Sequence, residues 1–279
     1  MRKAAIGIVA VAALTGIPAF AADMALKAPT PSVPVDSWTG FYVGANVGGG
    51  WGRQSVYDTP NDPLVVDLFN FGGAPPPASF TSSGILGGVQ VGYNRQVNSG
   101  WLIGFETDFD GSGIKGSGST SGTYAPYFMA PFIAPVQERV DWFGTVRARL
   151  GFLPTNNLLL YGTAGFAYGR VAQSGSWDTN TPFAVGDGFH DINCFPVPVC
   201  FAGSSSHVES GWTAGGGLEY AVWQKWTLRA EYLFVSLRQG TITETVLGPT
   251  GGASPSSFNA IFSRTNFNVA RVGLNYEFH

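Results

Sequence analysis

The chain has 279 residues, 44% hydrophobic but only 12% charged, with 39 glycines and a formal net charge of −3. That charge content lies well below the roughly 25% of an average soluble domain, and the acidic balance lacks the basic patches that nucleic acid selects. No stretch beyond the N-terminal region approaches the roughly 20 apolar residues of a spanning helix, so a helical membrane protein is excluded too.

Arg2 and Lys3 precede a short apolar run from Ala4 to Leu14, and Ala19-Phe20-Ala21 offers a small-residue cleavage site. This is the pattern of a secretory signal, with cleavage expected after Ala21. Loss of both basic residues takes the net charge from −3 to −5. The apolar run is too short for an anchor. Residues 22–37, with Pro29, Pro31 and Pro34, suit an extended lead-in. Residues 38–279 read as one barrel domain.

Eight alternating segments follow, over residues 40–48, 85–94, 101–110, 142–152, 158–170, 211–221, 226–237 and 268–278. In the seventh, Trp226, Leu228, Ala230, Tyr232 and Phe234 alternate with Thr227, Arg229, Glu231, Leu233 and Val235. Successive strand side chains point to opposite faces, so one face is purely apolar. The fifth segment is phased with Leu160, Ala164, Phe166 and Tyr168 outward, although Leu158, Leu159 and Leu160 are consecutive. Short connections (95–100, 153–157, 222–225) alternate with long ones (49–84, 111–141, 171–210, 236–265), which are expected to be extracellular loops. Short turns on one side and long loops on the other are the layout of an outer-membrane barrel. The predicted fold is all-β: an eight-stranded antiparallel up-and-down transmembrane β-barrel with both termini periplasmic.

Charge segregation supports that orientation. Glu106, Asp108, Arg147, Arg149, Glu219, Arg229, Glu231, Arg271 and Glu277 all have inward parity, and no outward position is ionisable. A lipid-facing Arg or Lys near the midplane costs about 2–4 kcal/mol. Trp101, Phe109, Trp142, Phe152, Trp212, Tyr220, Trp226, Phe234, Tyr276 and Phe278, near strand ends, are expected to form lipid-facing girdles. An eight-stranded lumen is nearly filled by side chains. The inward acids and arginines should therefore form an ion-pair network rather than line an open channel. A small porin passing small solutes is the alternative.

Several segments resemble the small outer-membrane immunogenic, porin-like surface proteins of alphaproteobacteria. They include Trp38-Thr39-Gly40-Phe41-Tyr42-Val43-Gly44, Gly92-Tyr93-Asn94 and Gly144-Thr145-Val146-Arg147-Ala148-Arg149-Leu150-Gly151. Leu160-Tyr161-Gly162-Thr163-Ala164-Gly165 and the run from Gly211 to Tyr220 are similar as well, as are Ala230-Glu231-Tyr232 and the closing Arg271-Val272-Gly273-Leu274-Asn275-Tyr276-Glu277-Phe278. The resemblance implies an OmpA-like eight-stranded barrel in the outer membrane of a Gram-negative cell, inserted by the barrel-assembly machinery and surrounded by lipid. The terminal His279 after Phe278 departs from the pattern, because such chains usually end on the aromatic.

Other chemistry is thinly supported. Cys194 and Cys200, six residues apart in an exported chain, suit a local disulfide. His190 and Asp191 beside them are too few for a metal site. His207, Glu209 and Ser210 could be read as the rim of a lipid-modifying enzyme, but a nucleophile needs a base within reach. His190 and His207 are candidate haem ligands. A soluble secreted barrel with a ligand inside would place the same alternation the other way round. No cofactor, no nucleic acid and no catalytic role are expected, and the sequence names no partner for the long connections.

Overall fold

A computed structural model describes residues 37–124, 130–181, 184–186, 190–194, 198–248 and 254–278. The expected signal peptide, nearly all of the lead-in and His279 lie outside them. Eight long strands dominate: β1 (Gly40–Pro60), β2 (Ala78–Gln96), β3 (Trp101–Tyr124), β4 (Ala130–Thr155), β5 (Leu158–Thr179), β6 (Val199–Trp223), β7 (Trp226–Val246) and β8 (Ser257–Phe278). Each pairs antiparallel with its chain neighbours, and β1 pairs with β8 from Phe41↔Phe278 to Pro60↔Phe258, so the sheet closes into a barrel. Closure leaves no open edge, which is what permits strands to cross a bilayer.

Alternation is realised as expected in the lower half. Phe41, Val43 and Val47 lie on the outer wall while Tyr42 and Asn46 are buried inside. On β5, Leu160 and Phe166 face out, and Leu159, Tyr161 and Ala167 face in.

The strands are much longer than the sequence segments. They run 19 to 26 residues, where about 9–11 span a bilayer. The expected long loops are therefore mostly wall: β3 continues to Tyr124 and β4 begins at Ala130. Bulges explain why alternation changes phase in part of that wall. Register shifts fall between Gly52 and Val56, Gly111 and Ile114, Val140 and Trp142, and Ile261 and Asn266. The β6/β7 ladder is likewise interrupted between Ala202 and Gly211. In β4 and β8 an extra residue breaks the two-residue period and re-aims what lies beyond it, so Val140 and Phe262 are buried on even numbers where Phe143 and Phe267 are buried on odd ones. β1 and β3, by contrast, keep their phase across the shift.

Between the ends the tube is filled in layers. Trp38, Leu102, Leu153 and Leu159 pack at the periplasmic mouth, where the Trp38 indole donates to the Asn156 carbonyl at 2.9 Å. Above the charged layer come Leu86, Phe143, Leu233, Val235 and Phe267, then Phe80, Val136, Ala260 and Phe262. The top is covered by a cap of Val65, Leu68, Phe132, Trp177, Phe201 and Phe258.

The cap contains a short helix, Pro63–Leu68, continued by a π-helical turn, Phe69–Gly73. Asp62 caps it by accepting from Leu64 N and Val65 N, and Pro63 opens it. The same carboxylate accepts from Ser257 N at 2.9 Å, which ties the helix to β8. Cys194 and Cys200 are disulfide-bonded and buried in this cap. Short strands Ala184–Gly186, His190–Asn193 and Ser254–Pro255 form a small separate sheet.

Candidate functional site

Register assembles the lower lumen. Glu106 on β3 stands directly opposite Arg147 on β4, Glu219 on β6 opposite Arg229 on β7, and Glu231 on β7 opposite Arg271 on β8. Adjacent strands thus deliver three cross-strand ion pairs of the kind that stabilise sheets. The arginines then reach across the tube. Arg147 contacts Glu106, Asp108 at 2.7 Å and Glu231 at 2.9 Å. Arg229 meets Glu106 at 2.8 Å and Glu231 at 2.7 Å. Arg149 reaches Glu219 at 2.8 Å, and Arg271 meets Asp108 at 2.6 Å and Asp110 at 2.7 Å. All four guanidinium groups have fully buried side chains. Planar forks with several donors suit such shared carboxylates.

Two tyrosines complete the lattice by one device used twice. Tyr42 on β1 lies across Gly92 of β2 and donates to Glu106 on β3. Tyr161 on β5 lies across Gly217 of β6 and donates to Glu231 on β7 at 2.9 Å. A Cβ at Gly92 would meet the Tyr42 hydroxyl at 2.3 Å, and one at Gly217 the Tyr161 hydroxyl at 2.7 Å. The glycines are the space the rings occupy. The Arg149 guanidinium also stacks over Tyr161, 3.9 Å from its centroid.

Eight of the nine residues expected inside therefore share this lattice. Glu277 is buried lower, opposite Tyr42 in the β1/β8 register. Asp110, Tyr42 and Tyr161 were not anticipated, although each carries the same inward parity as the charges.

The aromatics form two belts on the outer wall. Phe41–Tyr93, Trp101–Phe152, Trp226–Tyr276 and Tyr276–Phe278 pair near the periplasmic turns. Phe109–Trp142, Trp142–Tyr168, Trp212–Phe234 and Trp51–Tyr232 pair near mid-strand. Tyr220 is exposed at the lower level. Belts 8 residues apart on β3, from Trp101 to Phe109, stand about 20 Å apart along the barrel axis at ordinary strand rise and tilt. That nearly spans the apolar band of about 25 Å expected of such barrels.

His207 is exposed on β6, and neighbouring strand residues alternate, so Ser210 faces the side opposite to His207 and Glu209. No hydrogen bond joins these three among the described residues. The His190 side chain lies outside the described parts. Higher in the lumen, Glu138 accepts from Gln173 at 2.6 Å and Thr265 at 3.2 Å. Glu244 is buried higher still. Burial, reinforced by the Asp58 and Asp178 carboxylates, pushes Glu244 up to about 8. Burial alone lifts Asp58 to about 7.

A closed barrel with a charge-free band between two aromatic belts defines an integral outer-membrane β-barrel protein. The chain belongs to the outer membrane protein beta-barrel domain family, whose model matches residues 8–278. It is 34% identical over 279 residues to the 31 kDa outer-membrane immunogenic protein of Brucella melitensis biotype 1, covering 97% of this chain and 98% of that protein. The protein of the same name from Brucella suis biovar 1 matches equally. Similarity to the 22 kDa outer membrane protein of Rhizobium leguminosarum bv. viciae is 30% over 204 residues, covering 73% of this chain and 66% of that one. Among solved structures, the outer membrane protein OprG of Pseudomonas aeruginosa is similar with a TM-score of 0.44 and 10% identity, covering 86% of this chain and 97% of its own. The protein is thus an outer-membrane surface barrel.

Proposed function

We propose that this surface barrel is structural and non-conducting, a filled post that displays its extracellular cap. The observation that carries the proposal is the arginine lattice: four guanidinium groups and five acids bridge opposite walls of the tube. Apolar layers below and above it lend further support. A solute crossing here would have to separate buried ion pairs, and removing one partner of such a pair costs about 3–5 kcal/mol. The presentation surface is the capped end, so binding partners would meet the cap and upper wall rather than long free loops.

The same reading makes the protein a non-enzyme, since His207 and Ser210 diverge. Swelling of liposomes that contain the folded protein, in iso-osmotic small sugars and amino acids, tests it. Swelling no faster than in protein-free liposomes is expected. Size-dependent solute entry would establish the small-porin alternative instead.

A further inference from the structure

Basic residues of the barrel are partitioned by height. Arg147, Arg149, Arg229 and Arg271 fill the lattice, and Arg95 and Lys225 sit at the periplasmic end. Arg53, Lys115, Arg139, Arg170, Arg238 and Arg264 are all exposed, and all lie at or just above the upper aromatic belt. None faces the band between the belts. A chain of net charge −3 thus carries a cationic collar at the level where hydrocarbon gives way to headgroups.

The collar is densest on β3–β5. Lys115 stands directly opposite Arg139, and Arg170 directly opposite the belt residue Trp142. Like charges facing each other across a ladder are destabilising. One carboxylate, Asp141, serves both arginines, at 3.2 Å from Arg139 and 3.7 Å from Arg170. No carboxylate pairs with Lys115 among the described residues. Lys115 and Arg139 open onto an outer-wall groove of about 440 Å³, lined also by Gln137, Ser174, Ser204 and Ser206, and Arg170 donates to Ser206 at its edge, at 2.9 Å. The groove continues upward through Gln137, Ser174 and Ser204 into a second groove of about 910 Å³. Small residues make that wall: β3 reads Gly116-Ser117-Gly118-Ser119 there, and β6 reads Gly203-Ser204-Ser205-Ser206.

Cations at the foot and hydroxyls above match a phosphate carried on a sugar whose acyl chains descend below Trp142. We propose that this face binds a phosphorylated glycolipid of the outer leaflet. Lys115, Arg139 and Arg170 hold the phosphate, and the serine-lined groove holds the sugar. The proposal depends on outer-membrane residence and not on whether the lumen conducts.

The test uses the full-length folded protein in detergent micelles, titrated with bisphosphorylated lipid A and followed by native mass spectrometry. Unaltered protein should bind it at least tenfold more tightly than dephosphorylated lipid A, a comparison that needs no variant. A triple variant, Lys115→Gln with Arg139→Gln and Arg170→Gln, should lose that preference, whereas Arg238→Gln on another face should keep it. Heat-modifiable gel migration checks that each variant is folded. Excess inorganic phosphate should not compete. Equal binding of the two lipids, an unchanged preference in the folded triple variant, or full competition by free phosphate would each overturn the proposal.

Discussion

Glu231 shows how much one side chain carries in this lumen. Its two oxygens serve Arg147, Arg229, Arg271 and the Tyr161 hydroxyl. Glu231→Gln removes the charge while keeping the shape, leaving three buried cations to share the remaining acids. A loss of about 3–5 kcal/mol is expected, measurable as a lower urea midpoint for protein folded in lipid vesicles. Tyr161→Phe removes one hydrogen bond to a charged group and should cost about 1.5–3 kcal/mol. Gly217→Val forces the ring away as well and should cost more than Tyr161→Phe; an equal or smaller loss would mean the glycine is not the space the ring needs. The charged members of this cluster were legible in the sequence because lipid forbids charge on the other face. Tyr42, Tyr161 and Asp110 share that parity, but a tyrosine is equally at home in a girdle, so parity alone did not single them out.

At the scale of the strand, the division between membrane and extracellular wall is set by the upper belt. Phe105 and Ser121 lie on the outer face of the same strand, β3, and both are exposed. Phe105 sits between the belts and Ser121 well above them. Phe105→Arg should therefore destabilise the barrel in bilayers by about 2–4 kcal/mol, while Ser121→Arg should stay within about 0.5 kcal/mol of the parent. Equal penalties at both positions, read from folding equilibria in phospholipid vesicles, would contradict the placement of the band. Alternation revealed the lower strand halves because one face meets lipid and must be apolar. It missed the upper halves because their outer face meets water, so serine, glycine and threonine serve there and the contrast fades. Bulges near Val140 and Ile261 then shift the phase of β4 and β8, and a continued two-residue count along those strands points to the wrong face.

Over the whole molecule, the tube is built from a lower half whose acids are met by four arginines and an upper half whose buried charged side chains, among the described residues, are all acidic. Glu138 and Asp58, raised to about 7, and Glu244, raised to about 8, face the upper lumen, while the upper basic residues are all exposed on the outside. The native upper tube holds protons that an unfolded chain would release. Its contribution to stability is therefore full at and below the ordinary carboxylate range near 4 to 4.5 and declines as pH rises through 7 to 8. Proteolysis of the extracellular half should be faster at pH 9 than at pH 6, and Glu244→Gln should flatten that difference. A parent protein cleaved equally at both values would remove the argument.

The eight-strand count, the closure of β1 on β8 and the location follow from alternation and connection lengths already visible in the chain. The disulfide is legible too, as two cysteines six residues apart, but the packing of the cap is not, because Val65, Trp177, Phe201 and Phe258 come together from segments far apart in sequence.

The account as a whole rests on a lumen sealed by its own side chains, and electrical recording tests that most directly. Protein reconstituted into a planar bilayer should show no steady, voltage-ohmic current level above the lipid background. Reproducible single-channel steps from folded protein would mean the arginine lattice leaves a continuous water path, and the sealed-post account would be wrong.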